Sequence, residues 1–374
     1  MHFIKYTLLF ITIFFTSCSQ EKLQESDQLL RAGIHAPDIK SIARQDSITA
    51  FQIDTFFTKR FEHGQFNGVV LFAEKGRLIY RKSFGYSDLT RHRQLKHDTK
   101  FQLASVSKQF TAFAIMMLNK QGFLNYSDNV SKYVPNFPYP GITIHDLLTH
   151  HSGLPNYMHF SEKYWPDKKK YMTNKDVVTI MQKYKPEPYF QAGSKFNYSN
   201  TGYLLLATIV ERVSKQSFPS FLQKQIFQPL EMNHTFVLNR AQLLSDTAAA
   251  VGYYSPNRRA EDSFMNGVLG DKGVVSTVDD LLKWDQALYQ GKLLGKKKIE
   301  EAFFPSDTTR YNRSYGYGWR ILNPDSSEKI VYHGGLWKGF RTLFVRKLKQ
   351  QRTIIILSNI ASNRMHLKEL TEIF

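Results

Sequence analysis

Cysteine is almost absent. Cys18 is the single one in 374 residues, so the chain holds no internal disulfide. No apolar run is long enough to span a bilayer; the longest, residues 6–15, has the length of a signal-peptide core. Internal repeats and low-complexity tracts are missing. Acidic residues are scarce, 32 against 50 Lys and Arg, which leaves a formal charge of +18. No nucleic-acid-binding motif accompanies that charge, so a solvated basic surface is expected, with attraction to anionic lipid or wall polymers as a secondary reading. His145, His150, His151 and His159 lie close together in sequence but lack His-x-His-x-Asp or His-Glu-x-x-His spacing, so no metal and no other cofactor is expected.

What is present begins with the leader. Residues 1–17 read as a signal peptide, with Lys5 ahead of the apolar run and small residues after it. Cys18 follows Phe-Thr-Ser, which resembles a bacterial lipoprotein box with Phe15 where Leu is commoner. The resemblance implies lipidation of Cys18 and a protein held at a membrane of the cell envelope without spanning it, periplasmic or at the cell surface. Residues 18–48 read as a polar tether ending in a short helix.

From residue 49 to 374 the pattern is that of one α+β domain. Residues 51–61 have helical periodicity. Residues 68–73 and 78–83 are β-rich and split by Lys75-Gly76, a hairpin signal. Helical patterns dominate residues 109–265, with helices expected at 177–183, 203–213 and 218–226. A further helix follows Ser276 or Thr277, either of which can cap it. Strands return at 317–322, 329–332, 341–346 and 353–357, and residues 365–373 close as a helix. Two early strands and three or four late ones predict one antiparallel sheet built from both chain ends, with a mostly helical insertion beside it and the site in the cleft between them.

Three short motifs carry chemistry. Ser-x-x-Lys occurs three times, at Ser19, Ser105 and Ser326, but only Ser105 opens an apolar helix. Ser105 and Lys108 then lie one helical turn apart. A desolvated Lys can take a proton from a hydroxyl, and free N–H groups at a helix start can stabilise an oxyanion. Tyr198-Ser199-Asn200 precedes a second apolar helix. A tyrosine near a cation can lose its proton below its reference pKa and relay it. Asn200 can accept from Lys108 and donate to a substrate carbonyl. His333-Gly334-Gly335 ends a strand; the glycines admit a ligand backbone, and the N–H of Leu336 can serve as a second oxyanion donor.

In that order the three motifs resemble the serine β-lactamase and penicillin-binding protein superfamily, specifically its class C branch of β-lactamases, D-Ala-D-Ala carboxypeptidases, D-aminopeptidases and esterases. The segments DTKFQLASVSKQF, GFLNYSDNVSKYVPNFP, ITIHDLLTHHSGLPNY, GVVSTVDDLLKW, YGYGW and HGGLWKGFRT resemble further family segments. The middle motif, Tyr198-Ser199-Asn200, differs from the Ser-Asp-Asn that class A carries there. The resemblance implies a β-lactamase/transpeptidase-like fold and an exported serine hydrolase that forms an acyl-enzyme on a β-lactam, a D-amino-acid peptide or an ester. It implies Ser105 as nucleophile, Lys108 as base, Tyr198 as proton carrier and Asn200 as the ligand of the substrate amide. Ser105 and Leu336 N–H groups would form the oxyanion hole. His333 stands where the family often has Lys, implying orientation or positive charge near a substrate carboxylate; a neutral imidazole anchors a carboxylate less well than an ammonium. Ala192-Gly193 replaces the usual Pro-Gly, and His151 stands where Thr is common. Two alternatives are a non-catalytic penicillin-binding or scaffold protein of the same fold and a membrane-surface adaptor driven by charge.

Overall fold

Alternation of buried side chains builds the main sheet. The computed structural model describes residues 44–239, 246–307 and 312–374. The leader at 1–17, Cys18 and the tether as far as residue 43 lie outside the described residues. Seven strands form the sheet: β1 Gly68–Glu74, β2 Arg77–Phe84, β3 Arg313–Tyr315, β4 Arg320–Leu322, β5 Ile330–Trp337, β6 Phe340–Lys347 and β7 Arg352–Ser358. Their order is β3-β4-β5-β6-β7-β1-β2, and every neighbouring pair is antiparallel. The sheet is thus closed by pairing of the two chain ends, β1 on β7, as the pattern predicts. Late strands number five rather than three or four. The stretch 317–322 is not one strand: Gly318 has φ of +78°, and the chain turns there between β3 and β4.

Both faces of the sheet are covered. Val69, Leu71, Ile355 and Leu357 point into the larger core, and Val70, Phe72, Ile354 and Ile356 into a smaller one on the opposite face. A period of two, buried on both sides, is what a central strand packed between two layers requires. The smaller core is closed by α1 (Arg44–Glu62), through Ile53 and Phe57, and by the last helix, through Leu370. α1 starts earlier than its periodicity suggested and takes in the end of the tether.

The larger core holds the other helices. α2 (Lys108–Lys120) is buried from Lys108 to Leu118 and runs through its centre. α3 (Asn174–Tyr184) is started by a capping box between Thr173 and Asp176. α4 (Asn200–Ser214) is capped by Ser199, whose Oγ accepts from Gly202 N–H, and α5 (Val278–Gln290) by Thr277. α6 (Leu367–Ile373) ends the chain. The helix expected at 218–226 is a short α-helix, Phe218–Leu222, running on into a π turn, Gln223–Phe227. A small sheet of Phe101–Gln102, Val274–Ser276 and Phe236–Val237 ties the segment before the nucleophile to the one before α5. Among the described residues no helix is long and apolar enough to cross a membrane.

Candidate active site

Ser105 sits on a 3₁₀ turn, Ala104–Ser107, and the regular helix α2 begins only at Lys108. Ala104 has φ of +50°, a left-handed conformation that a residue with a Cβ adopts at a cost. β5 and β6 hold the turn in that conformation. Thr342 Oγ1 donates to the Leu103 carbonyl at 2.8 Å, and Gly335 leaves the space the turn occupies. The space that a Cβ at Gly335 would fill is taken by the chain's own turn at Leu103 and Ala104 and by Thr342.

Lys108 is fully buried. Its Nζ lies 3.2 Å from Ser105 Oγ, 2.8 Å from Asn200 Oδ1 and 2.7 Å from the Asp271 carbonyl oxygen. Burial lowers its pKa to about 7; the Asp271 carboxylate opposes that shift and Arg320 adds to it. A neutral amine has two hydrogens and one lone pair. The Asp271 carbonyl can only accept, and so can Asn200 Oδ1, so both hydrogens are committed to them. The lone pair is left for the third neighbour, the Ser105 hydroxyl. The two acceptors thus aim the Lys108 lone pair at the Ser105 hydroxyl.

Tyr198 lies beside this pair, with Lys108 Nζ 4.9 Å from its ring centroid. Part of the ring is exposed, but the hydroxyl is buried and has no hydrogen bond of good geometry. Burial pushes its pKa up, and the neighbouring Ser105 and Arg320, which favour ionisation, do not reverse this. The sequence expectation of a lowered pKa is corrected: desolvation outweighs the cation, and the phenol stays protonated at neutral pH.

His333 is buried on β5 and carries no charge. Burial, Arg320 and Lys108 all hold its pKa well below the usual imidazole value. Its Nδ1 lies 2.8 Å from the Gly334 carbonyl, which can only accept, so the proton is on Nδ1. Nε2 then accepts from Tyr315 OH at 3.0 Å. The positive charge that the sequence offered as one role for His333 is absent; its ring packs against that of Tyr198 with centroids 6.1 Å apart. The nearby charge comes instead from Arg320, whose guanidinium lies 5.1 Å from the Tyr198 ring. Sequence reasoning missed Arg320. It directly follows the quoted YGYGW segment, and its register opposite Tyr332, one residue before His333, brings it to the site.

β4 pairs with β5 only from Ile330 to Tyr332. Beyond that point, among the described residues, no strand pairs with the side of β5 facing away from β6 from His333 to Trp337. A cavity of about 470 Å³ lies here, lined by Ser105, Tyr198, Asn200, Arg320, Gly335 and Arg341 among others. Of the sequence-selected residues, Ser105, Tyr198, Asn200, Gly334, Gly335 and Leu336 all line it. Lys108 lies behind Ser105, and His333 lies beneath the strand. Also missed was His150, fully buried with its ring 4.4 Å from that of Tyr198. Its Nδ1 accepts from Ser199 N–H, so it orients the turn that carries Tyr198. His151 instead pairs with Asp307 at 3.2 Å. Among the described residues no group of His, Cys, Asp or Glu could hold a metal ion.

A hydroxyl, an amine aimed at it, a protonated phenol and a glycine-lined strand edge meet here on a β-lactamase/transpeptidase-like fold. Residues 53–373 match the family model described as Beta-lactamase, and the chain belongs to that family. It is 39% identical over 329 residues to Penicillin-binding protein 4* of Bacillus subtilis (strain 168), covering 82% of this chain and 71% of that one. Protein flp of Staphylococcus aureus (strain MRSA252) is 29% identical over 330 residues, 83% of this chain and 63% of its own length. Among solved structures, the octameric penicillin-binding protein homologue of Pyrococcus abyssi superposes with a TM-score of 0.73 at 25% identity, covering 83% of this chain and 74% of that one. A penicillin-binding protein of Bacillus halodurans gives 0.73 at 25% identity, with 85% and 98% covered.

Proposed function

We propose that this member of the serine hydrolase family is an exported enzyme that forms an acyl-enzyme at Ser105 on a β-lactam, a D-amino-acid peptide or an ester. The observation that carries the reading is Lys108 Nζ, 3.2 Å from Ser105 Oγ and held there by two obligate acceptors. In the first step Ser105 Oγ bonds to the substrate carbonyl carbon and its proton passes to Lys108. The developing oxyanion is met by the N–H groups of Ser105 and Leu336. As the bond to the leaving nitrogen or oxygen breaks, that atom takes the Tyr198 proton, which Lys108 replaces. Water then adds to the acyl carbon, giving up its proton through Tyr198 to Lys108, and Lys108 returns it to Ser105 Oγ as the acid departs. Asn200 holds the substrate amide. Arg320 and Arg341 supply the positive charge for a substrate carboxylate.

Intact-mass measurement after incubation with a penicillin and with a fluorophosphonate tests this. Wild type should gain one adduct with either reagent and Ser105→Ala none; equal labelling of Ser105→Ala sinks the proposal. The relatives named for penicillin binding favour a second reading, acylation without turnover. An adduct that persists for hours, with no hydrolysis of nitrocefin, p-nitrophenyl esters or D-amino-acid amides, would select it. We also propose cleavage of residues 1–17 and lipid anchoring at Cys18. Metabolic labelling with a fatty acid, lost in Cys18→Ser, checks the anchor.

A further inference from the structure

Behind the base lies a second buried ammonium. Lys272 is 4% exposed and its neighbour Asp271 1%, yet neither touches the substrate cavity. Lys272 Nζ donates to Tyr157 OH at 2.7 Å and to the Val268 carbonyl at 3.0 Å, and lies 3.5 Å from Asp271 Oδ1. Tyr157 OH donates to Asp271 Oδ2 at 2.9 Å. Burying an ion pair in this way is a weak source of stability, because desolvation offsets the attraction. What the pair does is hold backbone. Asp271 and Lys272 lie between Gly270 and Gly273, with φ of +103° and +105°. The middle of that segment presents the Asp271 carbonyl to Lys108. The Tyr157 backbone N–H also donates to Thr201 Oγ1 at 2.8 Å, the residue after Asn200.

We infer that Tyr157, Asp271 and Lys272 are positioning residues for the base, holding the Asp271 carbonyl at the point that, together with the Asn200 amide, leaves the Lys108 lone pair on Ser105. The inference rests on Lys108 being that base. None of the three touches the reacting atoms. The charged and titratable groups facing Lys108 are Asp271, Lys272 and Arg320, the neutral His150 and His333, and the protonated Tyr198 and Tyr203. Of the positioning residues, Asp271 favours the ammonium form of Lys108, and Lys272 and Lys108 disfavour each other's charge.

The opposite signs supply a test that needs no substrate. Protein carrying ¹³C-lysine is titrated by NMR, and the Lys108 signal is assigned by its loss in Lys108→Met. Asp271→Asn should move the Lys108 midpoint down from about 7 and Lys272→Met should move it up, each by roughly 1 unit. The acid limb of fluorophosphonate labelling should follow the midpoint in each variant. General loosening of the core would let water in and move both variants upward. Folded variants that shift together, or not at all, overturn the inference. Tyr157→Phe guards against variants that do not fold, because it removes one oxygen and keeps the ring. It should slow Ser105 labelling at least about tenfold above the Lys108 midpoint, where charge state no longer limits the rate. Unchanged labelling overturns the inference. Wild-type protein that is never labelled, with the opposite Lys108 shifts intact, sinks the hydrolase proposal and leaves the positioning role standing.

Discussion

Gly335 on β5 packs directly on the Leu103 carbonyl, and a Cβ at residue 335 would collide with that oxygen and with Thr342 Oγ1. It would also come within 3.0 Å of the Ala104 Cβ, next to the nucleophile. Neither backbone can yield, because β5 is locked to β6 and Thr342 holds Leu103. Gly335→Ala is expected to keep the fold and displace Ser105. A displacement on the order of 1 Å costs about 100-fold in rate. Labelling kinetics beside circular dichroism check it, and a variant labelled at the wild-type rate contradicts the packing argument.

The charge of Lys108 sets the pH dependence. The neutral amine is the active form, so acylation should rise with pH through about 7 and then level off. Lys108→Met should lower the rate by roughly 100-fold or more. Stability carries the same signature. The folded-state pKa lies below the unfolded one, so between about 7 and the ordinary lysine value the unfolded chain binds more protons. Wild-type stability relative to Lys108→Met should therefore rise with pH across that window and be flat below it. Urea unfolding at several pH values measures the difference; a difference that falls as pH rises would refute the lowered pKa.

Burial keeps Tyr198 a protonated phenol. No alkaline limb from its ionisation is expected near neutral pH, since burial pushes its pKa up. Tyr198→Phe should cost about 100-fold or more in turnover. Thermal stability should hold or rise, because the hydroxyl removed is buried without a partner. Turnover and Tm measured on one preparation check both halves. A large fall in Tm would mean that the hydroxyl has a structural partner.

Arg320 supplies charge that His333 does not. Arg320→Ala should raise KM for a carboxylate-bearing substrate by roughly tenfold and leave a neutral ester nearly unaffected, apart from the shift in Lys108. That shift is upward, because Arg320 helps to lower the Lys108 pKa, so the acid limb should move to higher pH. Equal effects on charged and neutral substrates would remove Arg320 from carboxylate recognition.

Much of the architecture was legible in the chain. Strand runs and helix periods depend on neighbours two to four residues away, which is why β1, β2, β6, β7, α3 and α4 fall close to their expected places. The Ser105–Lys108 spacing is likewise a local quantity. The stretch 317–322 was misread because the chain turns at Gly318, whose φ is positive, and only Arg320–Leu322 is strand.

The amino-acid sequence by itself determined which segments are strands and helices, that the sheet draws on both chain ends, and that a hydroxyl and an amine lie one turn apart. Only the tertiary structure decided the protonation of those groups. Burial lowers the Lys108 pKa to about 7 and a carbonyl 163 residues away in the chain aims the amine, His333 is held neutral by burial together with Arg320 and Lys108, and Tyr198 is kept protonated by desolvation. Desolvation and hydrogen-bond geometry sum over every atom packed around a group, whatever its place in the chain.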